Sequence, residues 1–188
     1  MPKKLRTYNL PPTTYNLPPR TGFTLLELIV YLAIISVIAV SFTSYTISIT
    51  NTRTKTYVAQ EVHANARAAL ETMSQRIQAA TGVNIGASTF GVDPGVLSLI
   101  MADATKNPTI LDLTANDGRL RIKEGSAGAV ELTSNEVSVT NLVFTNLTPA
   151  GVPRENIRIQ MTMQYNNPGS NVHYSYSKAF QTTVSVRQ

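Results

Sequence analysis

Glu27 occupies an unfavourable place for an acid. It is the fifth residue of the apolar run FTLLELIVYLAIISVIAV, residues 23–40, and the only charged side chain in it. An ionised carboxylate at mid-bilayer costs about 2.5–3.5 kcal/mol on insertion scales, so it needs a cationic partner or a shallow position. Glu27 lies about one helical turn into the run, shallow enough to snorkel and placed to pair with a cation at a membrane edge. The other residues able to do chemistry are sparse. His63 and His173 are the only histidines, in no metal-ligand spacing and beside no nucleophile, and His63 falls on the polar side of a helical pattern, which predicts a solvated surface residue. Asp112, Asp117 and Glu124 could offer oxygens to calcium, but their spacing fits turns better than any standard calcium loop. Nucleophile-elbow, HExxH, phosphate-loop and EF-hand patterns are all missing. No cysteine is present, which removes disulfides and thiolate metal sites. No catalytic residue, metal ligand or cofactor is expected; the chain reads as a non-enzyme.

The elements that must position Glu27 can be read from charge and periodicity. Net charge is +5, yet Lys3, Lys4, Arg6 and Arg20 precede the apolar run, leaving 12 basic against 11 acidic residues from Phe23 onward. That balance argues against nucleic-acid binding, which needs clustered Lys and Arg. The first 20 residues carry TYNLPP twice, at 7–12 and 14–19, a proline-paired tail that opposes helix. Eighteen apolar residues at about 1.5 Å each give about 27 Å, one hydrocarbon thickness. Basic residues ahead of the span predict a cytoplasmic N-terminus and export of the chain beyond the span.

Beyond Arg53, Val58, Val62, Ala66, Ala69, Leu70, Met73, Ile77 and Ala80 recur at three- and four-residue steps, one helical stripe. Arg67 and Glu71 stand one turn apart as a surface pair, and Gly82 is a natural stop. No proline interrupts 23–81, which permits a single helix. After Gly82 the period becomes two. Strands are predicted at 96–101, 109–114, 119–123, 129–133, 137–147, 157–165 and 174–186, with the alternation slipping near Asn141 as at a β-bulge. Tyr174, Tyr176, Phe180, Val184 and Val186 share a face in the last. An antiparallel meander burying its apolar face on the 58–80 stripe makes the fold class α+β.

The stretch RTGFTLLELIVYLAIISVIAV resembles the class III signal of type IV pilins and pseudopilins, a glycine, an aromatic residue and then T-L-[LIV]-E, here Gly22, Phe23, Thr24, Leu25, Leu26 and Glu27. The resemblance implies that a membrane-embedded prepilin peptidase cuts between Gly22 and Phe23 on the cytoplasmic side and methylates the Phe23 amine. It implies that Glu27 meets the N-terminal amine of a neighbouring subunit; contact with the amine of its own Phe23, one turn away, is the competing arrangement. A secretory peptide is cut after its apolar run, whereas the resemblance implies that this run survives into the mature chain.

VHANARAALETMSQRIQAATGV at 62–83 and AFQTTVSVR near the C-terminus are similar to minor pilins and to minor pseudopilins of the J-type and W-type. Many major pilins carry a C-terminal cysteine pair and a membrane-half proline near the place of Ser44; this chain has neither. The implied organisation is a cleaved leader at 1–22, a transmembrane and filament-core helix at 23–45, an amphipathic helix at 46–82 and a pilin-like antiparallel sheet domain at 83–188. The implied role is a minor structural subunit of a type IV pilus-like or type II secretion pseudopilus filament. Its partners are the peptidase, other pilins and the inner membrane, and its location is that membrane and then an extracytoplasmic filament. A tip adhesin or DNA-uptake pilin is the alternative.

Overall fold

The computed structural model describes residues 22–149, 151–152, 154–170 and 172–187. The duplicated TYNLPP leader lies outside the described residues. The chain divides into two compact units, Met1–Tyr45 and Thr46–Gln188. Helix α1, Leu25–Ala79, begins in the first and ends in the second.

In the first unit, every large apolar side chain from Phe23 to Tyr45 is exposed. An 18-residue window of α1 has a mean hydropathy of 2.5 and none of it is buried, so by length and composition the helix can cross a membrane. Its serines and threonines do not add to the polar surface as their formulae suggest. Ser36 Oγ donates to the Leu32 carbonyl at 2.7 Å, Ser41 to Val37 at 2.9 Å and Thr43 to Ala39 at 2.9 Å. The same i−4 bonds recur further along α1 from Thr50, Thr52, Thr54 and Thr56.

The second unit holds the core. The expected stripe supplies Val58, Val62, Ala66, Ala69, Met73 and Ile77, all fully buried, and Ala80 just beyond the helix end. They pack with two antiparallel sheets rather than one meander. The first is β1 (Gly82–Val83), β2 (Leu97–Ile100), β3 (Thr109–Leu113), β4 (Leu120–Glu124) and β5 (Val130–Glu131), paired in chain order. The second is β6 (Val137–Asn146), β7 (Asn156–Tyr165) and β8 (Ser177–Ser185), also in chain order. The α+β architecture, one long N-terminal helix packed with antiparallel strands, is the expected one.

The slip anticipated near Asn141 is a bulge. Val139 pairs with Met163, but Asn141 pairs with Thr162, so Thr140 is the extra residue. Its purpose is legible in parity: Val137 and Val139 face the core ahead of it, Leu142 and Phe144 after it, while Ile157, Ile159, Met161 and Met163 face inward along β7 without a break. With Thr140 in a regular ladder instead of a bulge, Leu142 and Phe144 would point to water.

The two sheets are joined where β6 bends. Val139 N–H donates to the Gly118 carbonyl in the β3–β4 turn at 2.8 Å. The outer edge of β6 is covered by residues 91–95: Gly91 and Gly95 donate to the Phe144 and Leu142 carbonyls at 2.8 and 2.7 Å, and Asp93 Oδ1 accepts from Leu142 N–H at 2.7 Å.

Three further expectations need correction. His63 is half-buried, not solvated: Nε2 lies 3.0 Å from the Tyr176 hydroxyl, and the ring meets Phe180 edge-on at 5.4 Å. The inward face of β8 draws it in, because a flanking helical position beside the apolar stripe reaches the aromatic residues opposite. Glu71 accepts from the Gln75 amide at 3.4 Å, and among the described residues no ion pair joins it to Arg67. The helix closes at Ala79, and Gly82 opens β1 instead of ending the helix.

Candidate functional site

The N-terminal site is built by a helix start. Gly22, Phe23 and Thr24 are non-helical, and the Leu28 N–H donates to the Thr24 carbonyl at 3.1 Å to close the first turn. Thr24 Oγ1 accepts from the Glu27 N–H at 3.2 Å, so Thr24 is the N-cap and satisfies one of the amides that a helix start leaves open. Glu27 is thereby the third helical residue, where a negative charge complements the positive end of the macrodipole.

The Glu27 side chain turns along the helix. Its Oε1 accepts from the Tyr31 hydroxyl one turn on, at 3.2 Å. The Tyr31 ring in turn meets the Phe23 ring edge-on, with centroids 6.0 Å apart and planes at 75°. Glu27 is half-buried while the residues on either side of it are exposed.

The Gly22–Phe23 peptide precedes the helix, with both residues exposed. A Cβ added at Gly22 would meet nothing within 4 Å among the described residues. By contrast, glycine is required at Gly118, with φ +60 and the Val139 carbonyl oxygen 2.7 Å from where a Cβ would stand.

The carboxylates of the second unit are occupied elsewhere. Arg121 grips Asp112 through Nε and through Nη2, the latter at 2.9 Å, and Arg119 bridges Asp117 and Glu131, both at 2.7 Å. Glu124 faces Arg76 at 3.0 Å. Each of the three acids considered for calcium therefore has its own guanidinium. These hydrogen bonds hold the Arg119 and Arg121 guanidinium groups more firmly protonated than usual, through Asp117 and Glu131 for the first and Asp112 for the second.

Glu136 accepts from the Tyr57 hydroxyl at 3.0 Å and from that of Tyr165 at 3.4 Å. Both phenols are pushed up, Tyr57 chiefly by its hydrogen bond to Glu136 and Tyr165 chiefly by burial. Asp103 is held below the usual carboxylate range by the hydroxyl and amide of Thr105, a turn contact at an exposed position.

Two clefts of about 400 Å³ open on the second unit, one lined by residues that include Tyr165, Ser170, Ser175 and Tyr176, the other by residues that include His63, Arg67, Glu71 and Phe180. Neither brings together a nucleophile, a base and an orienting acid.

Of the residues singled out from sequence, Gly22, Phe23 and Glu27 therefore come together at one helix start. His63 and Asp112, Asp117 and Glu124 belong to packing and ion pairs of the second unit. Tyr31 is the member of the site that sequence reasoning misses, although its i, i+4 spacing from Glu27 and its hydroxyl are both visible there.

Residues 18–43 match the family model described as the prokaryotic N-terminal methylation motif. No characterised protein and no solved structure matches the chain significantly.

Proposed function

We infer that this chain, a member of the type IV pilin and pseudopilin family by its N-terminal methylation motif, is a minor structural subunit of a type IV pilus-like or type II secretion pseudopilus filament. The motif implies processing by a prepilin peptidase and assembly with other pilins, within a family that is structural and non-enzymatic. The carrying observation is an apolar helical run exposed along its length, headed by that motif and attached to a unit that has its own closed core.

Such a run is satisfied in only two places, lipid or the apolar helices of other subunits. The subunit is held in the inner membrane by residues 23–45, N-terminus inside, and then transferred into a filament whose core those residues form. Residues 1–22 are removed as the leader, 46–82 continue the helix as its amphipathic part, and 83–188 form the outward sheet domain. The cut falls between Gly22 and Phe23. Supporting this, Gly22 and Phe23 are exposed and non-helical, and Gly22 stands where the resemblance places the residue before the cut.

Glu27 pairs with the methylated amine of a neighbouring subunit. In low dielectric an unpaired carboxylate is heavily penalised, so pairing selects both assembly and register. The minor role is supported by the missing cysteine pair and by the missing proline near Ser44. A DNA-uptake role is less favoured, because Arg76, Arg119 and Arg121 are already committed to carboxylates.

Mass spectrometry of the mature chain tests the reading: it should begin at N-methylated Phe23, and an intact Met1 in cells with active peptidase refutes it. Glu27→Ala should be processed normally and incorporated into filaments at least about tenfold less well, on the order of the cost of an unpaired membrane charge.

A further inference from the structure

Glu27 is a flexible side chain at the edge of an apolar run, and a carboxylate free to sample several rotamers pairs poorly with an incoming cation. Here it is not free. The Tyr31 hydroxyl donates to Oε1 at 3.2 Å, and the Tyr31 ring is itself set against Phe23. We propose that Tyr31 is a positioning residue for assembly, fixing the Glu27 carboxylate so that its second oxygen is presented to the amine of a neighbouring subunit. The inference rests on the reading of Glu27 as the assembly residue.

Three observations support presentation over mere shielding. A carboxylate accepts at both oxygens, and the tyrosine uses one; among the described residues Oε2 has no hydrogen-bond or ion-pair partner. A neutral hydroxyl satisfies a lone pair without cancelling the charge, so the attraction for a cation persists. The backbone end of Glu27 is fixed as well, by the Thr24 hydroxyl at 3.2 Å, so the residue is held from both ends. The arrangement is mutual, because a phenol exposed to lipid also needs an acceptor, and Glu27 is the one the helix provides.

The test uses the full chain in cells that carry the peptidase and the filament machinery, with Tyr31→Phe, Glu27→Ala and the double variant. Processing is read from the mature N-terminal mass, and assembly from the fraction of chain in sheared filaments. Tyr31→Phe keeps the ring against Phe23 and removes only the hydroxyl. It should be processed as wild type, with its filament fraction lowered about three- to tenfold, the range for one hydrogen bond. Because the hydroxyl acts through the carboxylate, the double variant should assemble no worse than Glu27→Ala alone. Wild-type assembly of Tyr31→Phe overturns the proposal. So does an equal further loss from Tyr31→Phe in the Glu27→Ala background, which would make the hydroxyl independent of the acid. Wild-type assembly of Glu27→Ala would instead refute the assembly reading itself.

Discussion

Gly118→Ala probes the joint between the two sheets. The residue sits in the β3–β4 turn with φ +60, and a methyl carbon there would lie 2.7 Å from the Val139 carbonyl oxygen, a backbone atom that no rotamer change can move aside. The left-handed conformation costs a non-glycine residue about 1–2 kcal/mol. Relieving the clash costs about 1–3 kcal/mol more by analogy with overpacked cores. The Val139 N–H to Gly118 carbonyl bond, 2.8 Å long, lies beside the strain and adds to what is lost if the strands part. Against this, alanine restricts the unfolded chain and returns about 0.4–1 kcal/mol. The net expectation is a loss of about 2–4 kcal/mol, or roughly 6–12 °C in melting temperature for a unit of this size. Thermal unfolding of the full chain in detergent, monitored by circular dichroism, measures it. Gly128→Ala is the control, since a Cβ there meets nothing within 4 Å and the φ is ordinary. It should stay within about 0.5 kcal/mol of wild type. Equal stabilities for the two variants would refute both the strain argument and the idea that the β6 bulge is pinned by this turn.

Met73→Ala removes a fully buried side chain on the core face of α1 and should cost about 2–5 kcal/mol in the same assay. Tyr57 should ionise above the usual phenol range, because its hydroxyl donates to Glu136, and Glu136→Gln should bring it back down in a near-ultraviolet absorbance titration. A phenol value raised by folding contributes stability that is complete below the unfolded value, near pH 10, and is lost as pH rises through the folded one. An alkaline titration unchanged by Glu136→Gln would sink that assignment.

Much of this architecture is written in local periodicity. The 58–80 stripe emerges buried as read except at Leu70, which is half-buried at its margin, because three- and four-residue spacing on a long helix permits only one face to meet a core. The slip at Asn141 is visible because β-strand parity is strict, and Val139 and Leu142, three residues apart, can both face inward only across a bulge. What periodicity does not contain is the partition into two sheets. That depends on which strand edges are covered, and the cover of β6 comes from backbone groups of Gly91 and Gly95 and one Asp93 oxygen, which carry no hydropathic signature. The position of His63 depends equally on long-range contact, since Tyr176 and Phe180 lie more than a hundred residues away along the chain. At the N-terminus the residue types and spacing make Glu27 conspicuous. They do not single out Tyr31, whose hydroxyl is one polar atom on an otherwise apolar ring and whose role emerges only once the rotamer of Glu27 is known.

The hydroxyl bonds along α1 have a consequence for how such a helix can be used more than once. Within residues 23–45, Ser36, Ser41 and Thr43 each donate to a carbonyl of their own helix. These donors carry their polar satisfaction with them, and exchanging one apolar medium for another neither breaks nor forms a hydrogen bond at any of them. On the proposed function, the direction of exchange would be decided by close packing and by the acid at the start, and a fibre built from such rods could return to lipid by the route by which it was put together.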